Sequence, residues 1–355
     1  NCTGLVHFID EDCNIFANNS LITATYAMFH NCNKMLNTNG LEGMLDPLEN
    51  LTDASYMFYG CAAMTGTLPN GFFSENENLT TANGVFSGCS GLTELPARLF
   101  RKNKTDTNNV PYLTSMKSVF YNCTNLGGVV TSDFFAGAPN IRTIGIANTD
   151  TIPNSSSRYT LYGFFGNTKV EGYFEDFLSK LPMLTDISYL FYHASENRAL
   201  KYCYYDNNGV DDEYGNSLSI ALFENNTLLQ NTSYAFQNCA GLTGCIPYKT
   251  VSGNVVSIFE SCKSNIVNVA NMFAGCSMLT GNDIDNSAMV GIADSLFKNC
   301  TNLQNVSGFF RGNTNHTFSI PNNMFDGCTA LANASYLFYN CTLLQGSIPV
   351  NMFNS

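Results

Sequence analysis

Large apolar residues return along this chain in a fixed rhythm, separated by residues that form turns. The spelling Phe-x-Gly/Asn-Cys-x-x-Leu, with Met in place of Leu in some copies, begins at Phe29, Phe58, Phe86, Phe120, Phe236, Phe273, Phe297, Phe325 and Phe338. These phenylalanines define a first phase, A. A second phase, B, comprises Phe16, Leu45, Phe73, Phe100, Phe135, Phe177, Phe223, Phe259, Phe297, Phe325 and Phe353. From B to A is 13 residues in most copies, and from A to B is 15 in the regular ones, so one coil takes 28 residues. Self-similarity at such a period is the signature of a repeat solenoid, and 28 lies within the range of leucine-rich repeats.

Within a coil the pattern predicts short strands and single helical turns. Phase A runs into segments such as Met64-Thr65-Gly66-Thr67-Leu68-Pro69 and Leu92-Thr93-Glu94-Leu95-Pro96. Apolar residues near period two, closed by Pro, read as a strand too brief to extend. A second strand candidate follows phase B, as at Leu51-Thr52-Asp53-Ala54 and Leu79-Thr80-Thr81-Ala82. No helical periodicity is sustained over ten residues, which argues against pairs of helices. The expected fold is a leucine-rich-repeat-like β-solenoid of about eleven coils, forming one domain over 1–355, with insertions around 101–113, 140–160 and 195–219. Length varies more in the A-to-B half, so longer loops are expected on one side.

The residue two after each phase-A Phe is Gly or Asn in nearly every coil, and these two types share a tolerance of positive φ. A left-handed residue is expected there, ending a single helical turn. The exceptions, His193 and Ser261, are expected to mark distorted coils. Phe, Cys and Leu at i, i+3 and i+6 then face the core. Ten of the 14 cysteines occupy that slot, among them Cys32, Cys61, Cys89, Cys123, Cys239, Cys276 and Cys341. Other coils fill it with Thr168, Ala194 and Asn313, which points to a small buried residue rather than a bridge. Pairwise disulfides between adjacent coils remain the alternative, with Cys13, Cys203 and Cys245 outside the slot.

These Phe-x-Gly-Cys-x-x-Leu-Thr elements, as at Phe86-Ser87-Gly88-Cys89-Ser90-Gly91-Leu92-Thr93, together with the Leu/Ile-Pro that follows, resemble the BspA-like leucine-rich repeat family of surface proteins. The resemblance spans nearly all of the chain outside the insertions, although a 28-residue coil is longer than that family's usual repeat. It implies a secreted or surface-displayed adhesive protein and carries over no catalytic residue.

Composition narrows the reading further. Charged residues make up only 12% of the chain, about half the usual share, while Asn occurs 47 times. Such an uncharged surface suits an extracellular or assembled protein. A net charge of −12 argues against nucleic acid as a partner. No apolar run reaches the length of a membrane span. Both ends fall in mid-repeat, which predicts either a piece of a longer polypeptide or a filament subunit that self-associates end to end.

The sequons Asn18, Asn50, Asn78, Asn103, Asn154, Asn225, Asn231, Asn305, Asn315 and Asn333 are glycosylation candidates, in number close to what so Asn-, Ser- and Thr-rich a chain yields by chance. Asp206, Asp211, Asp212 and Glu213 form a weak candidate for Ca²⁺, with spacing unlike an EF-hand. Tyr202, Tyr204, Tyr205 and Tyr214 beside them are candidate contacts for a host or matrix glycoprotein or glycan. Scattered histidines, no nucleophile motif and no Cys-x-x-Cys pair leave no cofactor, resident metal or catalytic residue to expect. The chain reads as a non-enzymatic extracellular adhesin or filament subunit. The alternatives are a ligand-binding module on a longer surface or phage protein and a β-helix polysaccharide-degrading enzyme.

Overall fold

The computed structural model describes residues 4–5, 14–36, 38–100, 110–149, 159–172, 178–193, 218, 220–242, 244–252, 254–279, 292–350 and 352–353. The chain forms two compact units: Asn1–Val170 with Ile187–Ala194, and Glu171–Asp186 with Ser195–Ser355.

In the first unit, successive repeats lie side by side in parallel. Isolated bridges join Ala24 to Asp53, Asp53 to Thr81, Thr81 to Ser115 and Ser115 to Thr143. A second line of pairing joins strands Gly66–Thr67 and Leu92–Glu94 in parallel, continued by a bridge from Glu94 to Gly127. Between these lines the chain turns at each phase-A phenylalanine, and the hydrogen bonding there alternates. The N–H groups of Tyr56, Phe58 and Gly60 donate to the carbonyls of Asn83, Val85 and Ser87 in the next repeat, at 2.8–2.9 Å. The intervening amides of Met57, Tyr59 and Cys61 donate within their own turn, to Ala54, Tyr56 and Phe58. In this turn every amide from Tyr56 to Cys61 has an acceptor, as burial demands.

This geometry places two residues of each turn in the left-handed region, one two before the Phe and one two after it. The pairs are Ala27/Asn31, Tyr56/Gly60, Gly84/Gly88, Ser118/Asn122, Gly163/Asn167 and Tyr189/His193 in the first unit. His193 therefore keeps the regular conformation instead of distorting its coil. The phenylalanines between them stack along the repeats, with ring centroids 5.4 Å apart for Phe29–Phe58, 5.6 Å for Phe58–Phe86, 5.8 Å for Phe86–Phe120 and 6.0 Å for Phe120–Phe165. Each such pair adds about 1 kcal/mol beyond its buried area.

The second unit repeats the design. Bridges run from Asp186 through Asn231, Asn268 and Asn305 to Asn333. The left-handed pairs are Tyr234/Asn238, Asn271/Gly275, Gly308/Gly312 and Tyr336/Asn340. The motif copies at Phe297 and Phe325, which the spacing counts in phase B although they carry the phase-A spelling, take the B place here. Both lie in the B stack, Phe259–Phe297–Phe325–Phe353, at centroid spacings of 5.3–5.4 Å. The A stack pairs Phe236 with Phe273 and Phe310 with Phe338. The same motif thus builds both columns, each with its own cysteines. Ser261 sits in a short 3-10 helix, Glu260–Cys262, and this turn has no left-handed residue at that place.

Among the described residues, two additions to the regular repeat are hairpins. Ala147–Thr149 pairs antiparallel with Tyr159–Leu161, and Tyr248–Val251 with Asn254–Ser257. The first lies in the B-to-A half and the second in the A-to-B half. Val110 and Leu113 are buried, and Ile141 and Ile144 belong to a repeat bridged through Thr143.

Between neighbouring repeats the Gly/Asn column has an order of its own. A Cβ built on Gly60 would collide with Asn31 Oδ1, and one on Gly275 with Asn238 Oδ1. The asparagine of one turn leans into the space that the next turn's glycine leaves. Gly60→Ala should therefore cost the left-handed penalty of about 1–2 kcal/mol plus the collision. Adding Asn31→Gly should return only the collision part in urea denaturation. A double variant no more stable than Gly60→Ala alone would show that the two residues do not share that space.

Candidate functional site

The cysteine columns come first, as the most abundant reactive chemistry. Cys32, Cys61, Cys89, Cys123, Cys239, Cys262, Cys276, Cys300, Cys328 and Cys341 are buried and unbridged, as is Cys245 outside the slot. In the A column the thiols of Cys61, Cys89 and Cys123 donate to the carbonyls of Phe29, Phe58 and Phe86 in the preceding repeat, each at 3.1 Å. Cys276 reaches Phe236 and Cys341 reaches Phe310 at 3.0 Å, and in the B column Cys328 reaches Phe297 at 2.9 Å. Each carbonyl also accepts the amide three residues on, so the thiol uses its second lone pair. Burial pushes the thiols of Cys61, Cys123 and Cys262 up to about 12 and that of Cys328 up to about 11. Thiolate is the reactive form, so these groups are chemically quiet. Iodoacetamide at neutral pH should leave Cys61, Cys89 and Cys123 unmodified in the folded chain and label them fully in denaturant, read by peptide mass. Rapid native labelling would contradict their burial.

Other polar chemistry inside the core is sparse. Asn76 and Asn226 occupy the B-column place equivalent to the cysteine. Their Nδ2 atoms donate to Leu45 and Leu48, and to Leu178 and Leu181, at 2.8–3.2 Å. His316 is 1% exposed, packed on Phe318 with ring centroids 3.8 Å apart, and neither ring nitrogen has a hydrogen-bond partner. Burial lowers its pKa to about 3. The folded state then binds its proton more weakly than the unfolded chain, whose imidazole titrates near 6.5, so stability falls as pH drops from about 6.5 to about 3. Relative to His316→Phe, the native chain should lose on the order of 4 kcal/mol across that window in urea titrations. Parallel curves for the two proteins would show that the ring is protonated in the folded state.

The first unit carries two surface features of note. One is a band of half-buried tyrosines. Tyr26 meets Tyr56 at 5.5 Å between centroids, Tyr121 meets Tyr162 at 5.8 Å, and Tyr162 meets Tyr189 at 4.9 Å and Tyr192 at 5.1 Å. Burial raises the phenols of Tyr26, Tyr56 and Tyr121, which fits packing better than proton transfer.

The other feature is an open trough of about 520 Å³ lined by Leu21, Thr23, Asn50, Thr52, Asn78, Thr80 and Tyr112. Its residues come from two columns, eight and six positions before the stacked Phe, which the bridges bring into line. Asn50 Nδ2 donates to the Ser20 carbonyl and Asn78 Nδ2 to that of Glu49, both at 2.9 Å. Thr52 Oγ1 donates to the Thr23 carbonyl at 3.0 Å and Thr80 Oγ1 to the Thr52 carbonyl at 2.8 Å. Leu21 and Tyr112 stand at its ends, 88% and 60% exposed. No charged side chain lines it. In the second unit a larger trough of about 620 Å³ runs beside the hairpin Tyr248–Ser257, with Lys263 paired to Glu260 and Lys298 to Asp326.

The other sequence candidates fall as follows. Asn103, Asn154, the four tyrosines at 202, 204, 205 and 214, the acidic group Asp206, Asp211, Asp212 and Glu213, and Cys13 and Cys203 lie outside the described residues. Asn18 is exposed in a left-handed turn, and Asn225 is exposed beside the buried Asn226. Asn231, Asn305 and Asn333 sit on the bridge line, where each Oδ1 accepts the amide two residues ahead at 3.0–3.1 Å. Asn315 donates to the Ser277 carbonyl at 2.7 Å. Asn50 and Asn78 prove to be trough residues. Their recurrence in one column, with Thr two places on, was the available signal. Among the described residues no group of three metal ligands gathers, and no helix is long and apolar enough to cross a membrane.

Among known proteins, no protein-family model and no curated protein sequence matches the chain. Solved structures give low-scoring matches. A leucine-rich cell surface protein from Faecalibacterium prausnitzii A2-165 is 14% identical, over 86% of this chain and 79% of its own length, with a TM-score of 0.28. The complex of TLR13 with ssRNA13 is matched at 12% identity over 88% of this chain and 48% of the receptor chain, with a TM-score of 0.20.

Proposed function

We propose that the chain is a non-enzymatic, extracellular repeat protein of solenoid type, displayed at a surface and acting by adhesion. The observation that carries this reading is the uncharged lateral trough of Asn, Thr and Tyr, built from side chains that recur at one place in successive repeats. A face made this way offers many equivalent contacts to an extended partner, and adhesion gains from that multiplicity more than from one tight pocket. Two further features agree with it. The thiols are buried in apolar surroundings that suppress the thiolate, so the ladder tolerates an oxidising exterior without bridges. A chain with 12% charged residues and an excess of Asn has the composition of an exposed, assembled surface more than of a cytosolic one.

Enzymatic chemistry finds little support in the described residues. The thiols are quiet, His316 is enclosed by phenylalanines, and the trough is lined by no carboxylate or histidine that could move a proton. The reading is tested by brief protease treatment of intact source cells. The chain should be shaved off while a cytosolic marker stays intact. Protection until lysis would overturn surface display. Beads coated with the full chain should also adhere to immobilised matrix glycoprotein, and adhesion no greater than that of uncoated beads would overturn the adhesive role.

A further inference from the structure

We infer that the trough between Leu21 and Tyr112 binds a neutral glycan chain laid across the repeats. The inference rests on the adhesive reading above and names the ligand class of that site. Its basis is the direction in which the lining groups spend their hydrogen bonds. Asn50 and Asn78 each commit an N–H of the side-chain amide to the backbone of the preceding repeat, at 2.9 Å. Thr52 and Thr80 commit their only hydroxyl proton in the same direction, at 3.0 and 2.8 Å. What these four residues still offer is two amide oxygens, two hydroxyl oxygens with free lone pairs and the second N–H of each amide, with the hydroxyls of Thr23 and Tyr112 beside them.

A surface with more acceptors than donors suits a ligand that can do both. Sugar hydroxyls donate and accept in series. Sulfate, phosphate and uronate groups supply acceptors only, and they would leave most of the trough oxygens without a donor. The charge balance acts the same way, since the chain places Glu49 and Glu77 directly before Asn50 and Asn78 and no Lys or Arg lines the trough. Along the threonine column the first cation is Arg142, one repeat beyond Tyr112, its amide bonded to the Thr114 carbonyl. Neutral sugars also carry an apolar C–H face, and Tyr112, 60% exposed at the end of the trough, offers an aromatic face on which it can lie. Asn50 and Asn78 sit in adjacent repeats, so they recur at about 4.8 Å, close to the length of one pyranose ring. A glycan chain running across the repeats would then meet an equivalent acceptor pair at each sugar.

The test uses the full chain in calorimetric titrations with neutral hexasaccharides of glucose, mannose and galactose, and with a heparin hexasaccharide. At least one neutral hexasaccharide should bind and heparin should not. Tyr112→Ala should weaken binding about tenfold while Tyr112→Phe keeps it, because the ring and not its hydroxyl supplies the stacking surface. Thr80→Val removes one acceptor and should weaken binding severalfold, with thermal denaturation used to confirm that the variant is folded. Three results would overturn the inference: no neutral hexasaccharide bound, heparin bound equally well, or full affinity in Tyr112→Ala. A fourth is an N-linked glycan found at Asn50 or Asn78 in chain from its native source, since it would fill the trough covalently. If Tyr112→Ala leaves both glycan binding and bead adhesion intact, the trough is the wrong site and the adhesive reading survives. If beads never adhere, that reading fails whether or not a glycan binds.

Discussion

Everything else in this molecule follows from how the backbone amides at each phase-A turn are satisfied. A turn buried against phenylalanine stacks cannot leave N–H groups without acceptors, and water has no access to them. The chain solves this by alternation: three amides cross to the next repeat and the ones between close back on their own turn. That alternation requires left-handed residues on both sides of the Phe. It also fixes the spacing of repeats, and hence the centroid separations of 5.4–6.0 Å at which the A-stack phenylalanines of the first unit meet. The carbonyls of Phe29, Phe58, Phe86, Phe236 and Phe310 each keep one lone pair directed at the following repeat, where a thiol proton takes it. Cys suits that place because it is small, apolar in bulk and still a weak donor.

Parts of this arrangement were legible in the sequence because only a few residue types can meet the constraint. Gly and Asn after the Phe announce a left-handed residue, and the Cys and Leu that follow announce a buried face. The matching left-handed residue before the Phe left a fainter trace, since only Gly84, Gly163, Asn271 and Gly308 are Gly or Asn among the described pairs. Its occupants include Ala27, Tyr56, Ser118 and Tyr234, none of which advertises positive φ. Crossing hydrogen bonds and stacked rings outweigh the cost of about 1 kcal/mol or more that such a residue carries. At Phe297 and Phe325 the spelling pointed to phase A and the spacing to phase B, for a related reason. Both columns ask for a Phe, a left-handed residue and a small buried group, so one spelling serves either, and only the stacking partner tells them apart.

The candidate site was harder to read, because its residues looked like something else. Asn50-Leu51-Thr52 and Asn78-Leu79-Thr80 have the form of glycosylation sequons, yet in the fold each component has a job between repeats. Leu51 and Leu79 are fully buried, and the Asn and Thr on either side donate to the neighbouring backbone. A linear reading weighs the tripeptide against chance and finds little. The information lies in the column, which emerges only once the repeats are aligned in space.

That column logic also explains how one scaffold can present different faces. In the second unit the asparagine column persists: Asn265 and Asn302 donate to Thr227 and Ser264 at 2.9 and 2.7 Å, as Asn50 and Asn78 do in the first. The threonine column does not persist, since Gln230, Val267 and Gln304 stand in its place. The backbone bond from this position, such as Gln304 N–H to the Val267 carbonyl at 2.9 Å, is unaffected by the change. Asn serves the stack where it stands in the first column, whereas the second column needs only its backbone for stacking. Its side chain is therefore free to set what the surface offers to a ligand. Threonine there adds a row of hydroxyls to a structural ladder, and valine at the same place removes one without disturbing the repeat beneath it.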